Sequence, residues 1–508
     1  MQAKIKTQPY ETFAPLYDGT FEAPVEMEFD LPDYCPDIRK VLKCQASPEL
    51  TRYELGEDSL RCEGVCEVRV LYLDGKSDAL RCCTFTREFS AAVKTKPGGE
   101  NGVAWVRASM GRVHCRAVNA RRLELRAAVT LRALAVTQQR ELITCEVEDP
   151  TIQRLRSTYP ATRAVNALSH RFTVEDVCAL KNGKPPVEAI LRKSVAFRVL
   201  DHRLEEDRLT VSGAMDVTFL YLSATEDNTA ETMSFSVDFT QLMDAPGVRD
   251  GCFCDLKLTP GECVLSLQED DMGEYTSVKV TGSAFLTAFA YEDCQVDVID
   301  DVYSVSMPLD LRYSQVSLLQ AEGVRSEVLR QKMTLPLEQE MDRVLDLWCE
   351  GDQLQLETAG EKALCRVQTT LCLLAKGVDG KVFYTEKALD ARLDSALPPL
   401  PGCRTTGKAE IWEYRLPEKN TVEVSVEIRA ETFAARETPV KYMASAGYEE
   451  DGEPLRTVPG LTVCYARAGQ RVWDIAKAHH ALLGDLRLQN QLDEDVLTRD
   501  RPLLITTR

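Results

Sequence analysis

A chain of 508 residues with 44% hydrophobic and 28% charged residues is long enough for about three to four domains and too apolar to be largely disordered. Its formal charge of −19 disfavours wholesale binding to phosphate backbones, which needs a cationic face to displace counterions, and leaves room only for a local basic patch. No window approaches about 18 uninterrupted apolar residues, so no membrane-spanning helix is expected.

The chain opens with a polar stretch, Met1 to Tyr10, that lacks the apolar middle of a signal peptide. The expectation is a protein that stays in the compartment where it is made. Tyr10, Phe13, Tyr17 and Phe21 make residues 1–28 either a docking peptide or a strip packed on the first domain.

Beyond this segment the sequence repeats itself. Leu60 to Leu73 matches Leu209 to Leu222 at an offset of 149 residues, with Gly64 on Gly213 and Leu71-Tyr72-Leu73 on Leu220-Tyr221-Leu222. A weaker third copy runs from Ala363 to Ala375, at an offset of 303. The same offsets place Ile38, Val41 and Leu42 on Val187, Ile190 and Leu191, and Val41-Leu42 on Val344-Leu345. A third block closes each copy: Leu123 to Ala135, Val278 to Ala290 and Val422 to Ala434. Three blocks in one order mean three homologous units.

Apolar and polar residues alternate in these blocks, as in Val422, Val424 and Val426 against Glu423 and Ser425, the pattern of antiparallel strands with one buried face. Asp74-Gly75, Pro97-Gly98-Gly99, Pro246-Gly247, Asp379-Gly380 and Pro401-Gly402 mark turns between them. Each unit is therefore expected to be a small β-sandwich or barrel. The expected units are residues 29–148, 170–305 and 332–440, joined by linkers 149–169 and 306–331. The first linker reads as partly helical. Ser314 to Lys332, with Val316, Leu319, Val324 and Val328, has helical spacing. Residues 441–460, polar and glycine-bearing, read as a flexible tether.

From Leu461 the pattern changes. Thr462 to Ala466 is strand-like, and Val472, Ile475, Ala476 and His479 fall at helical spacing. Leu482 to Leu488 offers a second short helix, and Pro502 to Thr506 a closing strand. The unit 461–508 is then a small βααβ module, with Trp473, Ile475 and Leu488 expected in its core.

Catalytic constellations are missing from the sequence. Gly75-Lys76-Ser77 lacks the upstream glycine of a phosphate loop, because Val70 stands there. There is no metalloprotease, serine-hydrolase or dinucleotide motif. The five histidines are isolated or, as His479-His480, end a helix where a cation suits the dipole. Glu269-Asp270-Asp271 reads as a solvated loop, and Trp348 and Trp412 as core. No enzyme, cofactor or metal is expected. The 18 cysteines include Cys62/Cys66, Cys82/Cys83 and Cys252/Cys254 as nearest neighbours, but no second pair stands at zinc-site spacing. They read as reduced, small apolar fillers.

Residues 461–508 resemble a LysM domain, carried by Ala468-Gly469, Trp473-Asp474-Ile475-Ala476, Asn490-x-Leu492 and Leu503-Leu504-Ile505. The resemblance implies a shallow groove formed by Gly469, Gln470, Arg471, Val472, Asn490, Gln491 and Leu492 that would bind N-acetylglucosamine-containing glycans. Gln470-Arg471 replace the usual Asp-Thr/Ser of the turn, and Asp500 replaces the usual glycine before the last strand. Phe29 to Pro32 leading to Pro36-Asp37-Ile38, with the Gly64 to Leu73 strand, is similar to the SPOCS domain of spore-coat-associated proteins. His170 to Val174 before Pro186 repeats this pattern, and Lys332 to Pro336 before Val344-Leu345 is a degenerate version. SPOCS repeats followed by a LysM module resemble the SipL-type spore-morphogenesis proteins. That resemblance implies a non-catalytic scaffold in the mother-cell cytoplasm at the forespore surface. It also implies that the end module docks the coat-basement ATPase, stage IV sporulation protein A, among other coat proteins. Binding of peptidoglycan by the module is the alternative, opposed by the altered turn and by the expected cytosolic location.

Overall fold

A computed structural model describes residues 3–181, 183–225, 228–359, 362–396, 404–449 and 460–507. The first repeat contains β1 (Ile5–Asp30), β2 (Ile38–Leu55), β3 (Ser59–Asp74), β4 (Leu80–Lys94), β5 (Gly102–Met110), β6 (His114–Ala117) and β7 (Arg122–Val147). These form two facing sheets, β4-β3-β2 and β1-β7-β5, with β6 also on β7. The second repeat contains β8 (Ile152–Ala179), β9 (Val187–Glu205), β10 (Arg208–Ser223), β11 (Ala230–Asp244), β12 (Phe253–Glu269) and β13 (Tyr275–Ser304). Its sheets are β11-β10-β9 and β8-β13-β12, the latter joined to β2 by one parallel pairing, Gly261 with Leu50. The third contains β14 (Leu309–Pro336), β15 (Met341–Ala359), β16 (Lys362–Gly377), β17 (Val382–Ser395), β18 (Arg404–Glu418) and β19 (Thr421–Tyr448), again as β15-β16-β17 and β14-β19-β18. The expected β-rich class holds, and the choice between barrel and sandwich resolves to the sandwich.

The repeated motifs have physical reasons. Gly64 faces Phe89 across β3–β4, and a Cβ there would meet the Phe89 ring at 2.4 Å. Gly213 faces Phe239 in the same way, again at 2.4 Å. The third copy places Val367 opposite Ala391, exchanging glycine and large ring for two mid-sized side chains of similar combined volume. In Leu71-Tyr72-Leu73 and Leu220-Tyr221-Leu222 the alternation puts each tyrosine inside its own sandwich. There Tyr72 donates to Pro36 O at 3.2 Å and Tyr221 to Pro185 O at 3.1 Å. The leucines point the other way and meet across repeats: Leu42, Leu71 and Leu73 pack with Leu191, Leu220 and Leu222 and with Leu345, Trp348 and Leu374.

Equivalent residues Leu42, Leu191 and Leu345 share that junction. Beside it, Arg192 Nε donates to Asp346 Oδ2 at 2.5 Å, and the guanidinium lies 4.6 Å from the Trp348 ring. A second shared core gathers Tyr10, Ile143, Ala161, Val296, Val298, Val316, Leu318, Val440 and Tyr442. These residues come from β1/β7, β8/β13 and β14/β19, strands of 26 to 30 residues that outrun their own sandwiches. Tyr10 is the hub: its hydroxyl donates to Thr162 O at 3.1 Å and accepts from Leu319 N at 2.8 Å, touching all three repeats. Residues 1–28 are therefore mostly β1, a full strand of the first sandwich.

The segments expected as partly helical linkers are strands. Residues 152–169 belong to β8, and 309–331 to β14. A bulge between Ala321 and Gly323, with Gly323 at φ 86°, shifts the phase of β14. Val316 and Leu319 both precede that bulge and face opposite sides, Val316 in the core around Tyr10 and Leu319 against the cluster of Trp105 and Phe433, while Val324 is 38% exposed, so the helical spacing joins residues of different faces. The short segments before the repeats, Ile38–Leu42 and Val187–Leu191, also enter as strands. Residues 441–448 of the expected tether extend β19; 450–459 and the Pro401-Gly402 turn lie outside the described residues. Trp348 is buried as expected, but Trp412 is 55% exposed. The register shift between Ile411 and Glu413 turns Trp412 outward, where Arg330 covers its ring at 4.5 Å.

Candidate functional site in the C-terminal module

The chain ends with β20 (Gly460–Ala466), α1 (Val472–Ala478), α2 (Leu483–Asn490) and the antiparallel β21 (Arg501–Thr507). This is the expected strand–helix–helix–strand order. Val472, Trp473, Ile475, Ala476, Leu486, Leu492, Leu503 and Ile505 form its core. Leu488, expected there too, is 81% exposed. It follows Leu486 by two residues and precedes buried Asn490 by two, so the helical period puts it on the opposite face.

The predicted groove residues divide by burial. Gly469, Gln470 and Arg471 are exposed in a tight turn. Gly469 adopts φ 87°, a left-handed conformation that favours glycine. Gln470 Oε1 accepts from Arg467 N at 2.8 Å, so the glutamine side chain closes the turn. The turn is zipped to the loop before β21: Gly469 N donates to Leu497 O at 2.8 Å, Leu497 N to Gln470 O at 2.9 Å, and Val472 N to Asp495 O at 2.9 Å. Val472 and Leu492 are buried core. Asn490 is buried as well: its Nδ2 donates to Leu504 O at 2.7 Å and its Oδ1 accepts from Leu504 N at 2.7 Å. This residue clamps α2 to β21. Gln491 is exposed, in the left-handed cap of α2 at φ 52°.

Two features escaped the sequence reading. First, the module is seated on the second repeat. Trp473 Nε1 donates to Asp301 Oδ2 at 2.9 Å, and Lys477 Nζ approaches both Asp301 oxygens at 2.7 Å. Tyr303 donates to Ala481 O at 2.6 Å, and its ring packs edge-on against Trp473 at 4.9 Å. Leu155 and Val305 join the module's core. Burial pushes the Asp301 carboxyl up, but hydrogen bonds from Lys477, Tyr313 and Trp473 outweigh it and hold it below the ordinary carboxylate range. Second, the opposite face is apolar and open. Leu461, Val463 and Tyr465 alternate along β20 and pair with Thr506, Leu504 and Pro502. Tyr465 is 83% exposed, and Leu461, Val463 and Leu504 are exposed beside it. Alternating Leu461, Val463 and Tyr465 were visible in the sequence, but alternation names a face without saying which side the helices take.

A cavity of about 1340 Å³ lies where the repeats meet, lined by Phe13, Trp105, Lys257, Tyr291, Arg404 and Phe433 among others. Three of its basic side chains have partners within the protein: Lys257 Nζ is 2.9 Å from Asp255 Oδ1, Arg132 pairs with Asp18, and Arg107 donates to Gly407 O. Tyr291 and Phe433 stack across it at 5.0 Å. Ser317 Oγ donates to Glu437 Oε2 at 3.2 Å on its wall, and the arrangement as a whole packs the repeats against one another.

The family described as the SipL SPOCS domain matches residues 37–110 and 186–266. The matched stretches start at the proline-bearing turns and run through β2 to β5 and β9 to β12. No curated protein matches the chain. No helix among the described residues is long and apolar enough to cross a membrane.

Proposed function

We propose that this chain, a SipL-like protein built on SPOCS domains, is a non-enzymatic assembly scaffold of the spore envelope. Its working place in this reading is the mother-cell cytoplasm at the forespore surface. The SPOCS family ties the chain to sporulation and is not a known enzyme family. The observation that carries the docking part is the open sheet face of the end module. A tyrosine flanked by aliphatic side chains on a small rigid sheet has the composition of an interface hot spot. The seat on Asp301 and Tyr303 orients the module so that this face is presented outward. Preorganisation of this kind lowers the entropy cost of binding. The partner proposed for the face is the coat-basement ATPase, stage IV sporulation protein A, with other coat proteins engaging the repeats.

The test compares the full chain with its Tyr465→Asp and Val463→Asp variants, immobilised and offered either the purified ATPase or peptidoglycan and chitin oligomers. Both substitutions lie on the exposed face and leave the module core untouched. The expected result is capture of the ATPase by the native chain, at least ten-fold weaker in the variants, and no glycan retention. Glycan retention without ATPase capture would replace this reading with the LysM-type sugar site around Gly469 to Val472.

A further inference from the structure

Among the cysteines, the fold brings together two that the sequence separates widely. Cys35 lies in the turn between β1 and β2, and Cys83 on β4; their Sγ atoms are 3.3 Å apart. Both side chains are buried, at 7% and 4% exposure. A disulfide needs about 2.05 Å, so the closure required is small. The turn is preorganised around this contact. Cys35 N donates to Pro32 O at 2.8 Å. Arg121 donates to the carbonyls of Leu31, Pro32 and Cys35 and to Asp37. Tyr72 holds Pro36 O from the other side.

The pair is particular to the first repeat. At the offset of 149 the second repeat carries Lys184 in place of Cys35, and the strand register puts Met233 where Cys83 stands. There the same turn is tied down differently, by Lys184 Nζ to Glu231 Oε2 at 2.6 Å. The contact between turn and fourth strand is thus kept in both copies, and only the first copy makes it from thiols.

We propose that Cys35 and Cys83 are an oxidation site, closing to an intramolecular disulfide that staples the first repeat. The oxidant class is a low-molecular-weight disulfide. The Cys35 thiolate attacks one sulfur of the reagent, forming a mixed disulfide and expelling one small thiolate. Cys83 then attacks Cys35 Sγ and expels the second. Two protein thiols are oxidised by two electrons, one small disulfide is reduced to two thiols, and the cysteine protons end on those thiols. Burial and the neighbouring Cys35 push the Cys83 thiol up, so little thiolate is present and the turn must open to admit the reagent. The reaction is accordingly slow, suited to a one-way maturation rather than rapid switching.

The test incubates the folded, reduced full chain with oxidised glutathione, blocks remaining thiols, digests with trypsin and maps cross-linked peptides. Cys82 and Cys83 share one tryptic peptide, so Cys82→Ser and Cys83→Ser variants are mapped alongside. The expected result is a Cys35–Cys83 peptide in the native chain and in Cys82→Ser, absent from Cys83→Ser, with a higher urea midpoint for the oxidised protein. Fragment sequencing of the native cross-link locates the bond without any variant, should one fail to fold. A cross-link to Cys82, or a Cys35–Cys83 link that forms only in urea, would overturn the proposal.

Discussion

Replacing Asp301 by alanine isolates the seat of the end module. Its carboxylate accepts from Trp473 at 2.9 Å, Tyr313 at 2.7 Å and Lys477 at 2.7 Å. Hydrogen bonds to a charged group are worth about 1.5–3 kcal/mol each when sheltered. The Lys477 side chain is 39% exposed, so its share is discounted to about 0.5–1 kcal/mol. Tyr313 belongs to the repeats, so its bond supports the carboxylate's position rather than the docking itself. The docking loss is then about 2–4 kcal/mol, a shift of roughly 30- to 900-fold toward the undocked state. The Tyr303–Trp473 ring contact and the Tyr303–Ala481 hydrogen bond remain. Amide hydrogen exchange reads the outcome: protection should fall over residues 472–481 and at the end of β13 and stay unchanged in the β3 and β10 cores. The low carboxyl value of Asp301 adds a pH arm. A carboxyl held below its unfolded value of about 3.9 stabilises above that pH and loses its contribution as pH falls through the folded value. Docking should therefore hold at neutral pH and weaken below about pH 4 in the native chain, with no such acid dependence from this group in Asp301→Ala. Unchanged exchange over 472–481 in the variant would refute the seat.

Tyr10→Phe should cost about 1–2 kcal/mol in urea unfolding, because it leaves the part-buried Leu319 N–H without its acceptor. Burial raises the Tyr10 hydroxyl to about 12. The native chain should lose this residue's contribution as pH climbs from about 10 to 12, an arm missing in Tyr10→Phe. Arg192→Ala should cost about 3–5 kcal/mol by stranding Asp346 at 7% exposure. Adding Asp346→Ala should recover part of that loss in the urea midpoint, the sign of an orphaned charge rather than of lost packing.

Repetition was legible in the sequence because each repeat buries the same side of the same strands. Gly64 and Gly213 mark the places where Phe89 and Phe239 cross, and Leu71-Tyr72-Leu73 carries both faces of one strand. The relation between repeats was not legible. Leu71 and Leu73 look like any second apolar face until three copies bring them together. The linkers failed for a related reason: β8 and β14 are apolar on alternating sides as they pass from their own sandwich into the shared core, and bulges break the alternation. In the end module, helix and strand order was readable from spacing, and so were buried Trp473 and Ile475. Asn490 has the sequence signature of a groove residue because a spaced asparagine can serve a ligand or a backbone. Only the geometry shows it holding Leu504 on both sides. Asp301 could not be found, since its partners Trp473 and Lys477 lie more than 170 residues away in the chain. Spacing along the chain pairs cysteines only with their sequence neighbours, whereas Cys35 meets Cys83.

The most direct test of the scaffold account is a fluorescent fusion to the full chain, imaged in the source cell through sporulation. The account predicts a shell around the forespore that disperses when the Tyr465→Asp face variant is substituted. Diffuse fluorescence at every stage of sporulation, from a native fusion that is intact and folded, would contradict it.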